Sequence, residues 1–205
     1  MNNPITPELT RDFLSSARVF AKAVRDVCEA AVLQEVVGDK LSVSQLKLLY
    51  LVAQADSVAI VDAATFLGVS SPAASKTVES LVRRRLLRRN EVRGDRRRGR
   101  LSLTEASRRL LEAYEAARDQ KAAEVFGQFS STELLHTARL LDRLAAGIAS
   151  QGKNRDAICL QCEIYYREDC RFGKYGARGS LCFYRLHKSN QKDLTDIPAS
   201  DPDQL

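Results

Sequence analysis

The chain has 205 residues, 44 % of them hydrophobic, which is enough for a folded domain with its own core and an appended segment. The longest dense apolar run, residues 46–55, is too short to cross a membrane, and the N-terminus lacks the basic and apolar regions of a signal peptide. We therefore expect a cytoplasmic protein without membrane contact. In such a protein, clustered cysteines are more often metal ligands or redox sensors than structural disulfides.

The net charge of +6 is unevenly distributed. Between Arg83 and Arg100 there are ten arginines and only two acidic residues, so this stretch carries more positive charge than the whole chain's excess. A concentrated basic patch predicts a polyanionic partner, and nucleic acid is the first candidate. The alternative is a solvated basic surface without a partner.

The first third of the chain has the periodicity of helices. Apolar residues recur at three- and four-residue steps over residues 7–37, which predicts one long helix ended by Gly38. Ser42 and Gln45 have capping-box spacing before a helix over 43–54, in which the inward residues are Leu46, Leu49, Tyr50 and Val52. A short helix from Ile60 to Leu67 ends at Gly68.

The next segment predicts a second short helix followed by a hairpin. We expect Ser71 to cap a helix over 72–84, with Pro72 in its first turn and Ala74, Val78, Leu81 and Val82 on its buried side. The stretches "LLRRNEV" and "RLSLT" are strand candidates, and "RGDRRRG" lies between them as a glycine-containing connection.

Two long helices follow the hairpin. Thr104 is placed to cap a helix over 105–127, and a second capping box, Ser130 to Glu133, opens a helix over 131–149. The last helix is predicted to bury Leu134, Leu135, Leu141, Leu144 and Ile148.

Two short helices joined at Gly68 and followed by a basic hairpin make a helix-turn-helix with a wing. A helix of about a dozen residues fits the major groove, where small polar side chains near its N-terminus reach the edges of the bases. An arginine-rich hairpin suits the narrow minor groove, whose negative potential attracts guanidinium groups.

These features, and the stretch "GDRRRGRLSLT" above all, resemble the MarR family of winged-helix transcriptional regulators over about residues 7–149. The family's wing carries Asp-x-Arg with a Leu-Thr closing the second strand, and Asp95, Arg97, Leu103 and Thr104 match it. The resemblance implies that Arg97 is the wing-tip minor-groove residue and that Asp95 orients it or a neighbouring arginine. It also implies that residues 71–83 form the recognition helix, and that the first and the last two helices form a dimerisation domain.

The chain departs from the family pattern at two positions. Arg85 stands where the family usually has a glycine after the recognition helix, and an arginine in a left-handed turn is strained. Ser107 stands where the family often has a glycine. The predicted DNA-contacting residues are Ser71, Ala73, Ser75 and Lys76 in the major groove, and Arg83, Arg84, Arg96, Arg97 and Arg98, with Asp95 beside them, on phosphates or in the minor groove.

Four of the five cysteines lie close together near the C-terminus, at Cys159, Cys162, Cys170 and Cys182. The first two form a Cys-x₂-Cys turn that directs both sulfurs to one point, and the other two complete a four-thiolate set. A [4Fe–4S] cluster is the preferred occupant, because the long spacers suit the wider separation of its ligands. Zn²⁺ and a disulfide switch are the alternatives, and His187 is a less favoured replacement ligand. The fifth cysteine, Cys28, is expected to be simply buried.

The sequence thus predicts a mostly α-helical protein that regulates transcription and is not an enzyme. We expect a homodimer that binds a palindromic site in double-stranded DNA, with a cysteine site that senses redox state, a gas or a metal. The alternatives are a structural zinc module combined with a small-molecule effector, a redox or electron-transfer protein, and a DNA-binding architectural or repair protein. The predicted segments are a dimerisation helix (1–40), a winged helix-turn-helix (41–104), two further dimerisation helices (105–150), a cysteine-rich module (151–188) and a disordered tail (189–205).

Overall fold

The computed structural model describes residues 5–55, 58–92, 95–151 and Tyr165, and it describes only the backbone of residues 60, 61, 91, 92 and 95–99. The cysteine-rich module, apart from Tyr165, and the tail therefore lie outside the described residues. The elements of the described part are α1 (Pro7–Ala23), α2 (Val32–Val37), α3 (Val43–Gln54), β1 (Val58–Ala59), α4 (Ile60–Leu67), α5 (Ser71–Arg83), β2 (Leu87–Val92), β3 (Asp95–Leu103), α6 (Glu105–Phe126) and α7 (Ser131–Gln151).

The predicted first helix is continuous but not uniform. Thr6 caps it by accepting a hydrogen bond from the Leu9 amide at 3.2 Å. Between α1 and α2 the residues Val24–Ala31 are π-helical, a wider form that periodicity alone does not predict. Gly38 then ends the helix with a φ of 59°, as expected, and opens a 3₁₀ turn over Gly38–Lys40.

The core surrounds α3, which begins at the predicted capping box of Ser42 and Gln45. The four residues predicted to face inward are buried, and Leu48 and Leu51 on the other sides are also fully buried. Burial on all sides places α3 in the centre of the domain. Neighbouring elements supply the rest of this cluster, including Phe66, Val78, Leu81, Leu101 and Tyr114.

Three antiparallel strands form one small sheet in the order β1-β3-β2. Leu87 pairs with Leu103 and Val92 pairs with Asp95, with an irregularity between Asn90 and Val92. The second strand of the hairpin was predicted to begin at Arg100 and in fact begins at Asp95. The prediction was too short because glycine and charged residues weaken the local strand signal, whereas cross-strand hydrogen bonding extends the ladder.

The last two helices have the predicted caps but not the predicted burial. Helix α6 begins after Thr104, and α7 begins after Ser130, the capping residue of the Ser130–Glu133 box. Within the single chain Leu135 is 51 % exposed and Ile148 is 60 % exposed, and Leu134 and Leu141 are exposed as well, so their predicted burial was wrong for one chain taken alone. No helix in the described residues combines the length and apolar character needed to span a membrane.

The architecture is therefore the predicted one: a mostly helical winged helix-turn-helix with a small antiparallel sheet, flanked by long helices at both ends of the described chain.

Candidate nucleic-acid interface

Helix α5 is the predicted recognition helix, and its N-terminus is capped one residue earlier than predicted. The hydroxyl of Ser70, not of Ser71, accepts a hydrogen bond from the Ala73 amide at 3.4 Å. Ser70 has the extended backbone that a capping residue requires, and Ser71 is the first residue of the helix. The two serines are adjacent and chemically alike, so the sequence pattern accommodates either register.

The predicted major-groove residues lie in the first half of α5. Ser71 and Lys76 are exposed, whereas Ala73 and Ser75 are half-buried. Ala74, Val78 and Leu81 form the opposite, buried side, as predicted, and Val82 is half-buried. The exposed Lys76 therefore stands on the free side of a helix whose other side is fixed in the core.

Gln45 of α3 holds α5 in place, a role that the sequence did not reveal. Its side-chain amide donates a hydrogen bond to the hydroxyl of Ser80 at 3.2 Å. Its carbonyl oxygen accepts from the Ser42 amide at 3.0 Å and from the Arg84 guanidinium at 3.3 Å. One side chain thus completes the cap of α3 and attaches the second half of α5 to the core.

The turn after α5 contains the strained residue that the sequence predicted. Arg85 has a φ of 59° and is the one non-glycine residue with positive φ among the described residues. Its amide bonds the carbonyl of Val82 at 2.9 Å, and the amide of Leu86 bonds that of Leu81 at 2.9 Å. These are the two hydrogen bonds of a Schellman motif, in which glycine usually takes the left-handed position.

Thr104 connects this turn to the end of the wing. Its hydroxyl donates to the Arg85 carbonyl at 2.8 Å and accepts from the Ser107 amide at 3.2 Å, while the Ser107 hydroxyl accepts from the Thr104 amide at 3.0 Å. Ser107, which departs from the family pattern, therefore completes a capping box with Thr104. The closing Leu-Thr of the wing thus has a structural function at the base of the hairpin.

The wing carries the arginine-rich stretch on both of its strands. Arg88 and Arg89 of β2 are exposed, as are Arg83, Arg84 and Arg85 just before it and Arg100 of β3. Asn90 of β2 donates a hydrogen bond to the hydroxyl of Ser102 across the hairpin at 3.1 Å. The predicted residues Asp95, Arg96, Arg97 and Arg98 are the first four residues of β3, and their side chains are outside the described part.

A cavity of about 560 Å³ lies where the end of the first helix meets the base of the recognition helix and α6. Its wall combines aliphatic side chains with two cationic side chains, Lys40 and Arg84. Arg84 is thus shared between this cavity and the contact with Gln45. The remaining lining residues are Val36, Val37, Gly38, Leu41, Leu86 and Leu110.

Two helices present apolar side chains that the described chain does not cover. No residue of α1 is buried, and in α7 only Ala149 is. Apolar faces of this extent mark an interaction site. Their most exposed large members are Leu9, Leu14, Val19 and Phe20 of α1 and Leu135, Leu140 and Ile148 of α7.

The four predicted metal ligands, Cys159, Cys162, Cys170 and Cys182, all lie outside the described residues. Cys28 is buried, as predicted, and it is a free thiol. Burial and the nearby Glu29 carboxylate raise the pKa of Cys28, which keeps it protonated and slow to react.

Comparison with known proteins supports the resemblance. A family model described as MarR family matches residues 39–98, the segment from the end of the first helix to the wing. No curated protein sequence matches the chain.

Solved structures with the same fold cover the winged helix and its flanking helices. A MarR family protein from Bacillus stearothermophilus has a TM-score of 0.60 and 18 % identity over 71 % of this chain and 99 % of that one. RV1404 from Mycobacterium tuberculosis has a TM-score of 0.57 and 21 % identity over 66 % of this chain and 92 % of that one. YusO from Bacillus subtilis has a TM-score of 0.54 and 21 % identity over 70 % and 99 %.

Proposed function

We propose that this chain, which resembles the MarR family over residues 39–98, is a sequence-specific DNA-binding regulator of transcription that acts as a homodimer and has no catalytic activity. The observation that carries the proposal is the arrangement of α5: a short helix anchored in the core along one side, free on the other, and followed at once by an arginine-rich hairpin. In this combination the helix contacts bases in the major groove and the hairpin binds the adjacent DNA backbone.

We assign the DNA contacts to α5 and to the wing. In the major groove, Lys76 and the small residues Ser71, Ala73 and Ser75 reach base edges at the N-terminal half of the helix. Arg83 and Arg84 are placed for phosphates, since both are exposed at its C-terminal end. On the wing, the resemblance assigns Arg97 to the minor groove beside Asp95, with Arg96 and Arg98 on the backbone.

The homodimer accounts for the uncovered apolar faces of α1 and α7. A second copy of the chain brings the same two faces, so a two-fold arrangement buries both at once. It also repeats α5 with two-fold symmetry, which matches a palindromic site whose half-sites are about one helical turn apart.

The cysteine-rich module is assigned to signal detection. Four cysteines at Cys159, Cys162, Cys170 and Cys182 supply the four thiolates of a [4Fe–4S] cluster, whose assembly or oxidation state then alters DNA binding. Anaerobic purification followed by visible spectroscopy and analysis of iron, sulfide and zinc tests this assignment. We expect a brown protein with stoichiometric iron and sulfide. A colourless protein with one zinc per chain would contradict the cluster and indicate a structural zinc site.

The second candidate combines that structural zinc with a small-molecule effector. The cavity beside Lys40 and Arg84 favours this version, because a wall of aliphatic side chains with two cationic groups suits an amphipathic anion. Occupation of the cavity would act on Arg84, which also bonds Gln45 at the base of α5.

Selection of bound fragments from random double-stranded DNA, followed by footprinting, tests the proposed function. We expect one enriched palindrome and a footprint confined to it. Binding of every fragment with equal affinity would contradict a sequence-specific regulator and favour an architectural or repair protein. If no DNA fragment is bound or enriched, the result would contradict a DNA-binding function and favour the redox or electron-transfer alternative.

A further inference from the structure

Glu79 is an acidic residue on the exposed side of α5, in a part of the chain that is otherwise strongly basic. Its side chain is exposed, as are those of Lys76 one turn before it and Arg83 one turn after it. Spacings of three and four residues place these side chains on one face of a helix. This face lies opposite the side of α5 that is buried in the core. A negative charge therefore stands between two positive charges on the side of α5 that is proposed to meet DNA.

The backbone on both sides of Glu79 is held by the core. Val78, the residue before it, is fully buried. Ser80, the residue after it, accepts a hydrogen bond from the side-chain amide of Gln45 on α3 at 3.2 Å. A helix that is anchored at both neighbours fixes the direction in which the side chain between them leaves the backbone. Glu79 thus has the fixed placement that a specific contact requires.

A groove of about 370 Å³ lies between α5 and β2, and Glu79 is one of its lining residues. Val78 and Val82 supply the aliphatic part of its wall, and Arg83 and Arg89 supply two guanidinium groups. Both arginines are exposed. Their positive charges offset the repulsion between the carboxylate and the phosphates of a bound duplex. The groove therefore allows a carboxylate to approach DNA.

Glu79 has no partner in the part of the chain that the structure describes. None of the hydrogen bonds and ion pairs of these residues includes it. The spacing from Glu79 to Arg83 is that of a helical ion pair, but the pair is not formed. An ionised carboxylate can only accept hydrogen bonds. A DNA group that binds it must therefore be a donor.

We propose that Glu79 is a specificity-determining residue that selects cytosine at one position of each half-site, by accepting a hydrogen bond from the N4 amino group. In the major groove cytosine presents this donor, whereas guanine presents acceptors and thymine presents an acceptor beside a methyl group. Adenine also has a donor, but its neighbouring N7 acceptor repels a carboxylate. The inference rests on the proposed function, because it requires α5 to lie in the major groove.

Selection from random double-stranded DNA with the full-length wild type, Glu79→Ala and Glu79→Gln tests this role. For the wild type we expect cytosine at one position of each half-site. Glu79→Ala should lose the preference at that position alone. Glu79→Gln should change it to adenine, because a side-chain amide pairs with N6 and N7 of adenine. Glu112→Ala removes the same charge from an exposed position of α6 and should select the wild-type sequence.

Three duplexes that differ only at this position separate the amino group from its surroundings. They carry cytosine, 5-methylcytosine or thymine in both half-sites, and the last two bases share the same methyl group. The wild type should bind 5-methylcytosine within about threefold of cytosine, because the amino donor is kept and the groove has an aliphatic wall for the methyl group. Its affinity for the thymine duplex should fall about 30-fold or more, since both half-sites lose the contact.

Glu79→Ala is measured on the same three duplexes by fluorescence anisotropy. We expect it to bind all three within about threefold of one another, because the acceptor that distinguishes the bases is absent. Its affinity for a duplex of scrambled sequence should not fall, since the variant removes a negative charge from the DNA-facing side of α5. Circular dichroism checks that each variant is folded, and the wild-type comparison of the three duplexes needs no variant.

Three outcomes would overturn the role of Glu79 and leave the proposed function intact. An unchanged selected sequence in Glu79→Ala would show that Glu79 contacts no base. An equal loss of affinity for every sequence in this variant would indicate that Glu79 only orients the neighbouring arginines. Equal losses on 5-methylcytosine and thymine would assign the discrimination to the methyl group. A wild type that enriches no sequence is a different result, because it would refute the proposed function and this role together.

Discussion

Arg85 shows how a single residue can be strained by its position. Two helices of the DNA-binding domain end in the same motif, and the left-handed position is Gly68 after α4 but Arg85 after α5. A side chain in this conformation costs roughly 1–2 kcal/mol. The arginine adds positive charge beside the recognition helix, which offers a functional reason for tolerating the strain.

We expect Arg85→Gly to stabilise the protein by roughly 0.5–1 kcal/mol, because relief of strain exceeds the greater entropy of an unfolded glycine. The matched change Gly68→Ala should destabilise it by about 1 kcal/mol, since no atom crowds that position and only the backbone conformation is unfavourable. Urea unfolding measures both. A loss of stability in Arg85→Gly would show that the arginine side chain makes a compensating contact.

Thr104 supports a second prediction at this scale. Thr104→Val keeps the shape of the side chain but leaves the Arg85 carbonyl and the Ser107 amide without the hydroxyl. We expect a loss of about 2–3 kcal/mol, because Thr104 is buried. Ser130→Ala, at the exposed cap of α7, is the control and should cost only about 1 kcal/mol. Equal losses in the two variants would contradict a link between the turn and the wing.

At the scale of elements, the sequence predicted the ends of α3 and α4 well because capping residues and glycines mark them locally. The register of the α5 cap was wrong by one residue, since Ser70 and Ser71 satisfy the same local rule. Neither the π-helical segment nor the contact between Gln45 and Ser80 could be predicted. The first has the periodicity of an ordinary helix, and the second joins residues far apart in sequence.

The proposed contact of α5 with DNA predicts that a substitution at Lys76, on its exposed side, lowers the affinity for DNA. Lys76→Ala should weaken binding of the dimer to the selected DNA site by roughly 30-fold or more, because each of the two chains loses a base contact worth about 1–3 kcal/mol. Lys22→Ala, on the exposed side of α1, removes the same charge and should leave the affinity unchanged. Fluorescence anisotropy measures both. Equal effects of the two variants would indicate that charge alone, and not the position on α5, governs binding.

At the scale of the whole molecule, sequence reasoning predicted that the leucines of α7 are buried, and the single chain leaves Leu134, Leu135 and Leu141 exposed. An apolar pattern indicates that a helix face is buried, but it does not indicate whether the same chain or another chain buries it. The candidate site shares this limit. The sequence located the recognition helix and the wing, whereas the contact of Gln45 with Arg84 joins residues brought together only by folding.

If α7 lies in the dimer interface, a charged residue in its apolar face should change the mass of the protein in solution. Leu141→Glu places a charge in the apolar face, so we expect sedimentation to change from twice the chain mass of 22.8 kDa to a single chain mass. Arg143→Glu lies two residues further along, on a different side of the helix, and should remain dimeric. Dimers in both variants would indicate that the face of α7 is not the interface.

The most direct test of the account is the salt dependence of binding to the selected palindrome. A dimer with six to ten phosphate contacts should lose roughly 10³–10⁵-fold in affinity between about 50 and 200 mM salt. We expect this steep dependence, together with a slope reduced by about two when Arg84 is replaced by alanine, because each of the two chains loses one phosphate contact. An affinity that is flat in salt would contradict DNA binding by the arginine-rich wing and the recognition helix.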